Sequence, residues 1–283
     1  MTACEVELHG RAATGADRVA ADRVAADLGA LGSEAKSDAV LVHDSGGELV
    51  GWGWVKGRRA TVHVRPGHTG RGLGSLLLAW TEERARQLGG DRLAQTVPDQ
   101  DQAAIALLKA AGYARLVTEW LLGIAMPSEP HVPEPPAGIT VRAFRAGDEQ
   151  SAYQLTEDAF DEWQQRRKSY AEWARHTVER TTFAPGASMV ALAGEQMVGA
   201  VLSLDVPGDD EGYVERVAVR RDLRNRGTAR LLLQESFRAF YRQGKRGCTL
   251  WTHSDTGALS LYERLGMTVR RTSTVYSKTL TTG

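Results

Sequence analysis

The chain has 283 residues, and its 35 Lys and Arg side chains balance 35 Asp and Glu side chains. This length suits one large domain or two ordinary ones. A balanced charge excludes the electrostatic attraction that draws proteins to nucleic acid or anionic membranes, and no apolar run approaches the roughly 20 residues of a membrane span. The N-terminus lacks a signal-peptide pattern, the two cysteines lie far apart, and no Cys/His cluster has zinc-site spacing. We therefore expect a cytoplasmic protein without nucleic-acid, membrane or metal partners.

The first half of the chain alternates strand and helix patterns. The predicted elements are a strand over Glu5–His9, a helix over Asp17–Leu31, a hairpin of Ala39–His43 and Glu48–Val55, a strand near Val62–Val64, helices over Gly72–Leu88 and Gln102–Ala111, and a strand over Glu119–Ala125. A proline-rich segment follows at residues 127–136 and holds five of the nine prolines of the chain. Such a segment is typical of a stiff extended linker and excludes a helix or strand interior.

The second half repeats the same order of elements. The predictions are a strand over Ile139–Ala143, a helical or nearly helical stretch over Asp148–Arg180, a hairpin of Met189–Leu192 and Met197–Leu204, a strand over Tyr213–Val219, a helix over Arg230–Gly244, a strand over Cys248–Thr252, a helix over Ala258–Leu265, and a final strand or strands over Val269–Lys278.

The repeat is visible in the residues themselves. The stretch Val62–Leu77 matches Val217–Leu232 at a constant offset of 155, since 227 − 72 and 226 − 71 both give that value. Two copies of one αβ unit explain this match better than a single domain does. The sequence therefore predicts a domain over residues 1–126, a linker over 127–138 and a second domain over 139–283.

One short stretch of the second copy suits the binding of a phosphate. The segment Arg224-Asn225-Arg226-Gly227 joins a β-branched strand to an apolar helix. The first amides of a helix have no internal partner, and they lie at the positive end of the helix dipole. Gly227 and Ala229 leave room for an anion to approach the backbone, and the arginines add positive charge. The spacing differs from both the P-loop and the dinucleotide fingerprint, so the pattern predicts a pyrophosphate cradle of another type.

Arg224-x-x-Gly227-x-Ala229 in this context resembles the acyl-CoA loop of the GNAT N-acyltransferase superfamily. The resemblance extends over nearly the whole chain apart from the linker, as a tandem two-domain type. It implies an α/β (α+β) fold of two fused GNAT-like domains, each a mixed, mostly antiparallel sheet flanked by helices. It also implies acetyl-CoA as co-substrate. The cofactor-binding residues that it implies are Val217, Val219, Arg224, Asn225, Arg226, Gly227, Thr228, Ala229, Arg230 and Asp255.

Tyr262 is the residue expected to act as general acid. Members of the superfamily often carry a tyrosine at this point, facing the thioester sulfur. On periodicity alone a core aromatic is the simpler interpretation, since residues 258, 261, 262 and 265 share one helical face. The equivalent residue of the first copy is Leu108, which can only pack.

Glu215 is the residue expected to act as general base. By two-residue alternation it lies on the same side of its strand as Val217 and Val219, whose backbone the resemblance pairs with the pantetheine arm. A surface or ion-paired glutamate is an equally good interpretation. Many relatives place the base two residues earlier, where this chain has Tyr213, so three other acids remain as candidates: Asp209, Asp210 and Glu211.

Asp255 precedes the Tyr262 helix and is first of all predicted to cap its N-terminus. The resemblance also implies that Phe160, Trp163 and Tyr170 contribute to the acceptor pocket, although amphipathic packing explains at least some of these aromatics.

The first copy carries a loop of related sequence that provides a second candidate cofactor site, with Gly70, Arg71, Gly72 and Gly74. It lacks an acid at Ala60 and a tyrosine at Leu108, so catalysis by the same route is not expected there.

We therefore expect an acetyl-CoA-dependent N-acetyltransferase, monomeric or homodimeric, whose C-terminal half moves an acetyl group directly to a small-molecule amine. The alternatives are a non-catalytic acyl-CoA-binding module and a protein N-acetyltransferase.

Overall fold

The computed structural model describes residues 38–44, 46–161, 166–205, 208 and 210–280. The predicted strand Glu5–His9 and helix Asp17–Leu31 lie outside these residues. The chain divides into two compact units: unit 1 comprises residues 1–118 and 273–283, and unit 2 comprises residues 119–272. Within the described ranges, no helix is both long and apolar enough to cross a membrane.

Unit 1 is built around a mixed sheet. Its elements are β1 (Asp38–His43), β2 (Leu49–Lys56), β3 (Arg59–Val64), α1 (Leu73–Gln87), β4 (Arg92–Pro98), α2 (Gln102–Ala110), the beginning of β5 (Ala114–Ala125) and the end of β11 (Thr268–Thr279). The strand order is β1-β2-β3-β4-β11, and all neighbours are antiparallel except the parallel pair β3 and β4. Strand β4 is absent from the sequence-based prediction, because its mixed polar pattern gives a weak signal.

Unit 2 repeats this arrangement. Its elements are the end of β5, β6 (Ile139–Ala143), α3 (Glu149–Phe160), α4 (Tyr170–His176), β7 (Met189–Ala193), β8 (Gln196–Asp205), β9 (Glu211–Val219), α5 (Thr228–Arg242), β10 (Gly247–His253), α6 (Leu259–Arg264) and the beginning of β11. The strand order is β5-β10-β9-β8-β7-β6, again with one parallel pair, β9 and β10. Both sheets confirm the predicted α/β class with mostly antiparallel strands.

The core of unit 2 has two layers, one on each face of the sheet. On one face Phe237 and Phe240 of α5 and Tyr262 of α6 pack against the sheet. On the other face Leu155 of α3 and Trp173 of α4 pack against the opposite sides of the same strands. The predicted helical stretch Asp148–Arg180 contains these two helices.

The compact units do not coincide with the predicted domain bounds, because the second part of the last strand of each copy belongs to the unit of the other copy. Ser273–Thr279 of β11 pairs with β4 in unit 1, and Glu119–Ala125 of β5 pairs with β10 in unit 2. Residues 127–138 contain no helix or strand, as predicted for the linker. The linker is bound to α5 by the ion pair of Glu129 with Arg242, at 2.6 Å.

Candidate active site

The predicted phosphate cradle has an unusual backbone. Gly227 caps α5 with φ +86°, and Asn225 has φ +61°, the one positive value for a residue other than glycine within the described chain. No side chain caps the first turn of α5, and a Cβ built at Gly227 would meet no atom within 4 Å. The first amides of the helix are therefore accessible to an anion, as the sequence predicted.

The arginines of the cradle have two different roles: one anchors the loop, and the others supply positive charge. The side chain of Arg224 donates to the backbone oxygens of Val219 and Ala159, at 3.2 and 3.3 Å, so it ties the loop to β9 and to the end of α3. Arg226 and Arg230 are exposed and supply positive charge near the cradle. Thr228 is buried against β8. Thr228 and the half-buried Ala229 can contact an anion through their backbone N–H groups.

Strands β9 and β10 separate part of the way along their length. They pair in parallel from Glu211 opposite Gly247 to Val214 opposite Leu250, and then pairing stops although both strands continue. Beyond that point β10 still pairs with β5, and β9 still pairs with β8. The other edge of β9 from residue 215 onward therefore has backbone groups that no described strand binds. This split places the backbone of Val217 and Val219 where an extended ligand could pair with it.

A β-bulge accompanies the split. Val214 lies opposite Ser203 and Arg216 lies opposite Leu202, so Glu215 is an extra residue in β9. The bulge interrupts the expected alternation: Val217 packs into the core facing α5, whereas Glu215 forms an ion pair with Arg180 on the other side of the sheet. The prediction that Glu215 and Val217 lie on the same side of the sheet is therefore wrong, because the inserted residue breaks the two-residue alternation of side chains along β9.

Tyr262 is both a core residue and a hydroxyl beside the split. Its side chain is 6% exposed and packs in the layer facing α5. Burial raises the pKa of Tyr262 to about 12, and a hydrogen bond from Thr252 opposes this rise. Thr252 lies on β10 beyond the last residue that pairs with β9. Tyr262 therefore holds its proton at neutral pH next to the opening, as a general acid must.

Glu215 lies among polar groups on the opposite face of the sheet. The shortest Arg180–Glu215 distance is 4.0 Å, and the Glu215 side chain is half-buried. Burial, and then the charge of Glu215, raise the pKa of Tyr213, whereas Arg180 opposes this rise. Glu215 and Tyr262 thus approach the split from opposite faces, an arrangement in which a base and an acid can serve one reacting carbonyl.

The other candidate bases are placed less favourably. Both carboxylate oxygens of Glu211 accept from Arg270, at 2.6 and 2.7 Å, and this pair lies where β9 and β10 are still joined. Asp210 is exposed before the beginning of β9, and Asp209 is outside the described residues.

Asp255 does not cap the helix of Tyr262. Its carboxylate accepts from the hydroxyl of the adjacent Ser254, at 3.1 Å, and remains exposed. No side chain caps this helix, whose N-cap residue is Ala258; the hydroxyl oxygen of Thr256 accepts from the amide of Ala258, at 3.2 Å, in the turn before the helix. Gly257, with φ +63°, turns the chain between Asp255 and the helix, so the prediction of an Asp255 cap is wrong.

The aromatic residues predicted for the acceptor wall have different environments. Phe160 lies at the end of α3 beneath the guanidinium of Arg216, 5.7 Å from ring centroid to Cζ. Tyr170 is 40% exposed and stacks on buried Trp173 at a centroid distance of 6.1 Å. Trp163 is outside the described residues.

Three residues of this region were not predicted from the sequence to be functional: Arg180, Arg216 and Trp251. Trp251 is 40% exposed on β10. The β9–β10 register would place it opposite Glu215 if pairing continued. A large exposed aromatic residue in a predicted strand, and an arginine beside the candidate base, were the available signals.

Unit 1 has a cradle of the same conformation. Gly70 and Gly72 have φ values of +75° and +83°, matching Asn225 and Gly227. Strands β3 and β4 pair in parallel only at Arg59 and Ala94, so they also separate early. Leu108 and Ala60 are buried and apolar, as the sequence predicted, so neither can transfer a proton there. Gly74 faces Leu107 at close range, with its hypothetical Cβ 3.1 Å from a methyl of that residue, while Arg71 is exposed.

Asp44, Glu48 and His68 of unit 1 bring metal-ligating atoms within 4.8 Å of one another. An oxygen of Asp44 accepts from the amides of Gly46 and Glu48, and Glu48 forms an ion pair with Arg65. The carboxylates of Asp44 and Glu48 are thus engaged with backbone amides and with Arg65.

Comparison with known proteins gives matches over most of the chain. The acetyltransferase (GNAT) family model matches residues 12–113 and 150–267. A mycothiol acetyltransferase of Geodermatophilus obscurus is 31% identical over 277 residues, which are 91% of this chain and 88% of that protein. A GCN5-related N-acetyltransferase from Sphaerobacter thermophilus has a TM-score of 0.79 at 29% identity, covering 93% of this chain and 86% of its own. A tandem GNAT protein from the clavulanic acid biosynthesis pathway shares the fold over 99% of this chain and 100% of its own, with a TM-score of 0.73 at 19% identity. These matches confirm the predicted tandem arrangement.

Proposed function

Since this chain belongs to the acetyltransferase (GNAT) family and is an acyltransferase, we propose that unit 2 moves the acetyl group of acetyl-CoA directly to a primary amine of a small molecule. The observation that carries this proposal is the split between β9 and β10, which has an anion cradle at one end and Tyr262 and Glu215 on opposite faces.

The cofactor-binding part of the proposal follows the chain from β9 to α5. The pyrophosphate lies at the amides after Gly227, with Arg226 and Arg230 nearby. The pantetheine arm pairs with the unpaired edge of β9 at Val217 and Val219, as another strand would. The thioester then lies in the split beside Tyr262. Asp255 is exposed and accepts a hydrogen bond from Ser254, so it is a peripheral contact of the cofactor.

The chemistry requires two proton transfers. The amine must lose a proton as its nitrogen attacks the thioester carbonyl, and Glu215 accepts that proton directly or through water. The carbon–sulfur bond then breaks, and the sulfur takes the proton of the Tyr262 hydroxyl to leave as a thiol. Each positioned group typically contributes about 10²–10⁴-fold, and holding the two reactants together contributes further.

The acceptor enters from the side of Glu215. That face carries Phe160, Arg216 and the exposed Trp251, whereas the other face is filled by the core around α5. The similarity to a protein named mycothiol acetyltransferase supports an acceptor of low molecular weight.

The test is the release of free thiol from acetyl-CoA with a panel of primary amines. We expect Tyr262→Phe to lower kcat by about 10²–10⁴-fold while acetyl-CoA still binds, because the variant keeps the buried ring and loses only the hydroxyl. Tyr276→Phe is the matched control, since Tyr276 is equally buried in unit 1. Binding of acetyl-CoA without thiol release for any amine would reject the proposal in favour of a non-catalytic acyl-CoA-binding role. Amine-independent thiol release would instead indicate thioester hydrolysis, and full activity in Tyr262→Phe would indicate another acid.

A further inference from the structure

Arg216 stands apart from the other arginines of unit 2. It lies opposite Leu202, whose side chain packs in the layer facing α3 and α4, so Arg216 lies on the face that we assign to the acceptor. Its guanidinium lies over the ring of Phe160. Its Nε is buried, and no described residue accepts a hydrogen bond from it.

Arg216 has one carboxylate and one further guanidinium beside it. Glu215 is the adjacent residue of β9, and it is 4.0 Å from Arg180. Three other acids of unit 2 have ion pairs of their own: Glu211 with Arg270, Glu157 with Lys168 and Glu172 with Arg166. Arg180, Glu215 and Arg216 together carry two guanidinium groups and one carboxylate, so Glu215 cannot neutralise both arginines.

This arrangement is costly unless a ligand completes it. A guanidinium stays charged at all accessible pH values and has five donors in a planar fork. Stacking on Phe160 covers the face of that fork, but it leaves the buried Nε, one of the in-plane donors, without an acceptor among the described residues. Desolvating such donors without a partner is unfavourable. An oxyanion is the chemical group that fits the fork.

We propose that the acceptor amine carries an anionic group and that Arg216 binds it. This inference rests on the proposed function and names its substrate class. Glu215 and Arg216 are neighbours in the bulge of β9, so the amine that loses its proton and the anion that is held lie few bonds apart in the acceptor. Carboxylate and phosphate share the required chemistry, and the acceptor is amino-acid-like or a small phosphorylated amine.

The experiment compares amines that differ only in the anion. Ethanolamine, serine and O-phosphoethanolamine share one skeleton with no anion, a carboxylate and a phosphate, and tyramine and tyrosine form a second pair. Thiol release from acetyl-CoA gives kcat and KM for each amine. We expect serine, tyrosine or O-phosphoethanolamine to exceed its anion-free counterpart at least tenfold in kcat/KM. Which of them does so distinguishes carboxylate from phosphate.

Two variants assign the preference to Arg216. We expect Arg216→Met to lower the anionic-to-neutral ratio of kcat/KM at least tenfold, mainly through KM of the anionic amine, and Arg216→Lys to restore part of it. Arg175→Met, an exposed arginine of α4, is the control and keeps the ratio.

Three results would overturn the inference while leaving the proposed function intact. These are a ratio unchanged by Arg216→Met, equal turnover of anionic and neutral amines, and no turnover of any anionic amine by protein that binds acetyl-CoA. Failure to bind acetyl-CoA would instead overturn the proposed function itself.

Discussion

A largely buried ion pair fixes the end of β11 to unit 1, and its contribution to stability can be tested quantitatively. The Nζ of Lys278 on β11 lies 2.9 and 2.8 Å from the two carboxylate oxygens of Glu82 on α1. The side chains are 27% and 10% exposed, and Lys278 also lies 5.7 Å from the ring centre of Tyr113. This pair fixes the C-terminal strand to the helix of unit 1.

Lys278→Met keeps most of the aliphatic stem and removes the charge. Breaking a buried pair by removing one partner costs about 3–5 kcal/mol. We expect a loss at or below the lower limit of that range, about 2–3 kcal/mol, because Lys278 is partly exposed and Arg86 remains 3.5 Å from Glu82. In the double variant Glu82→Gln with Lys278→Met no charge is left buried, so the loss should be smaller than the sum of the single losses by about 1 kcal/mol or more.

Urea unfolding of the four proteins gives the free energies, and hydrogen exchange identifies the strands that loosen. Amides of β4 and of Ser273–Thr279 should exchange faster in Lys278→Met, and those of β7 and β8 should not. A coupling energy below about 0.5 kcal/mol, or unchanged exchange in β4 and β11, would refute the role of this pair in holding the exchanged strand.

Two further predictions concern the framework of unit 2. The bidentate bond from Arg142 lowers the pKa of the Asp148 carboxyl below its ordinary value of 3.8, so its contribution to stability is present above that pH and is lost as the pH falls through the lowered pKa. We expect Asp148→Asn to cost about 1.5–3 kcal/mol at pH 7 and to flatten the fall in urea midpoint below about pH 4; an unchanged acid limb would contradict this. Gly212→Ala would place a Cβ 2.5 Å from the buried ring of Phe240, so we expect the free energy of unfolding to fall by about 1–3 kcal/mol. Gly53→Ala is the control and should cost less, because its Cβ would have contacts of 3.4 Å or more. Equal shifts of Tm in the two variants would contradict the packing argument.

Local features of this fold could be predicted from the sequence because their signals are local. The offset of 155 between the two loops corresponds to equal backbone conformations at Gly72 and Gly227 and at Gly70 and Asn225. The periodicity of the apolar residues and the positions of Gly and Pro predict the hairpins, the linker and most helices. The sequence also predicts the packing role of Leu108, which replaces a tyrosine in the first copy and is buried in the structure.

Non-local features could not be predicted in the same way. The pairing of β11 with β4 depends on contacts between residues such as Lys278 and Glu82 that lie far apart in the chain. The bulge at Glu215 moves the side chains of all later residues of β9 to the opposite face of the sheet. The alternation of residue types in the sequence does not reveal this bulge. The lack of an acceptor for the Arg216 Nε among the described residues emerges only when the neighbouring strands and helices are placed.

The central claim is that the cradle of unit 2 binds acetyl-CoA, and calorimetric titration of the intact protein tests it most directly. Gly227→Glu and Gly72→Glu form a matched pair, because both glycines cap a helix at nearly the same φ and have no atom within 4 Å of a hypothetical Cβ. Any backbone strain is therefore alike, and each change places bulk and negative charge where a phosphate would lie. We predict that Gly227→Glu abolishes binding at unit 2 and that Gly72→Glu retains it. Binding that survives Gly227→Glu and disappears in Gly72→Glu would contradict the account.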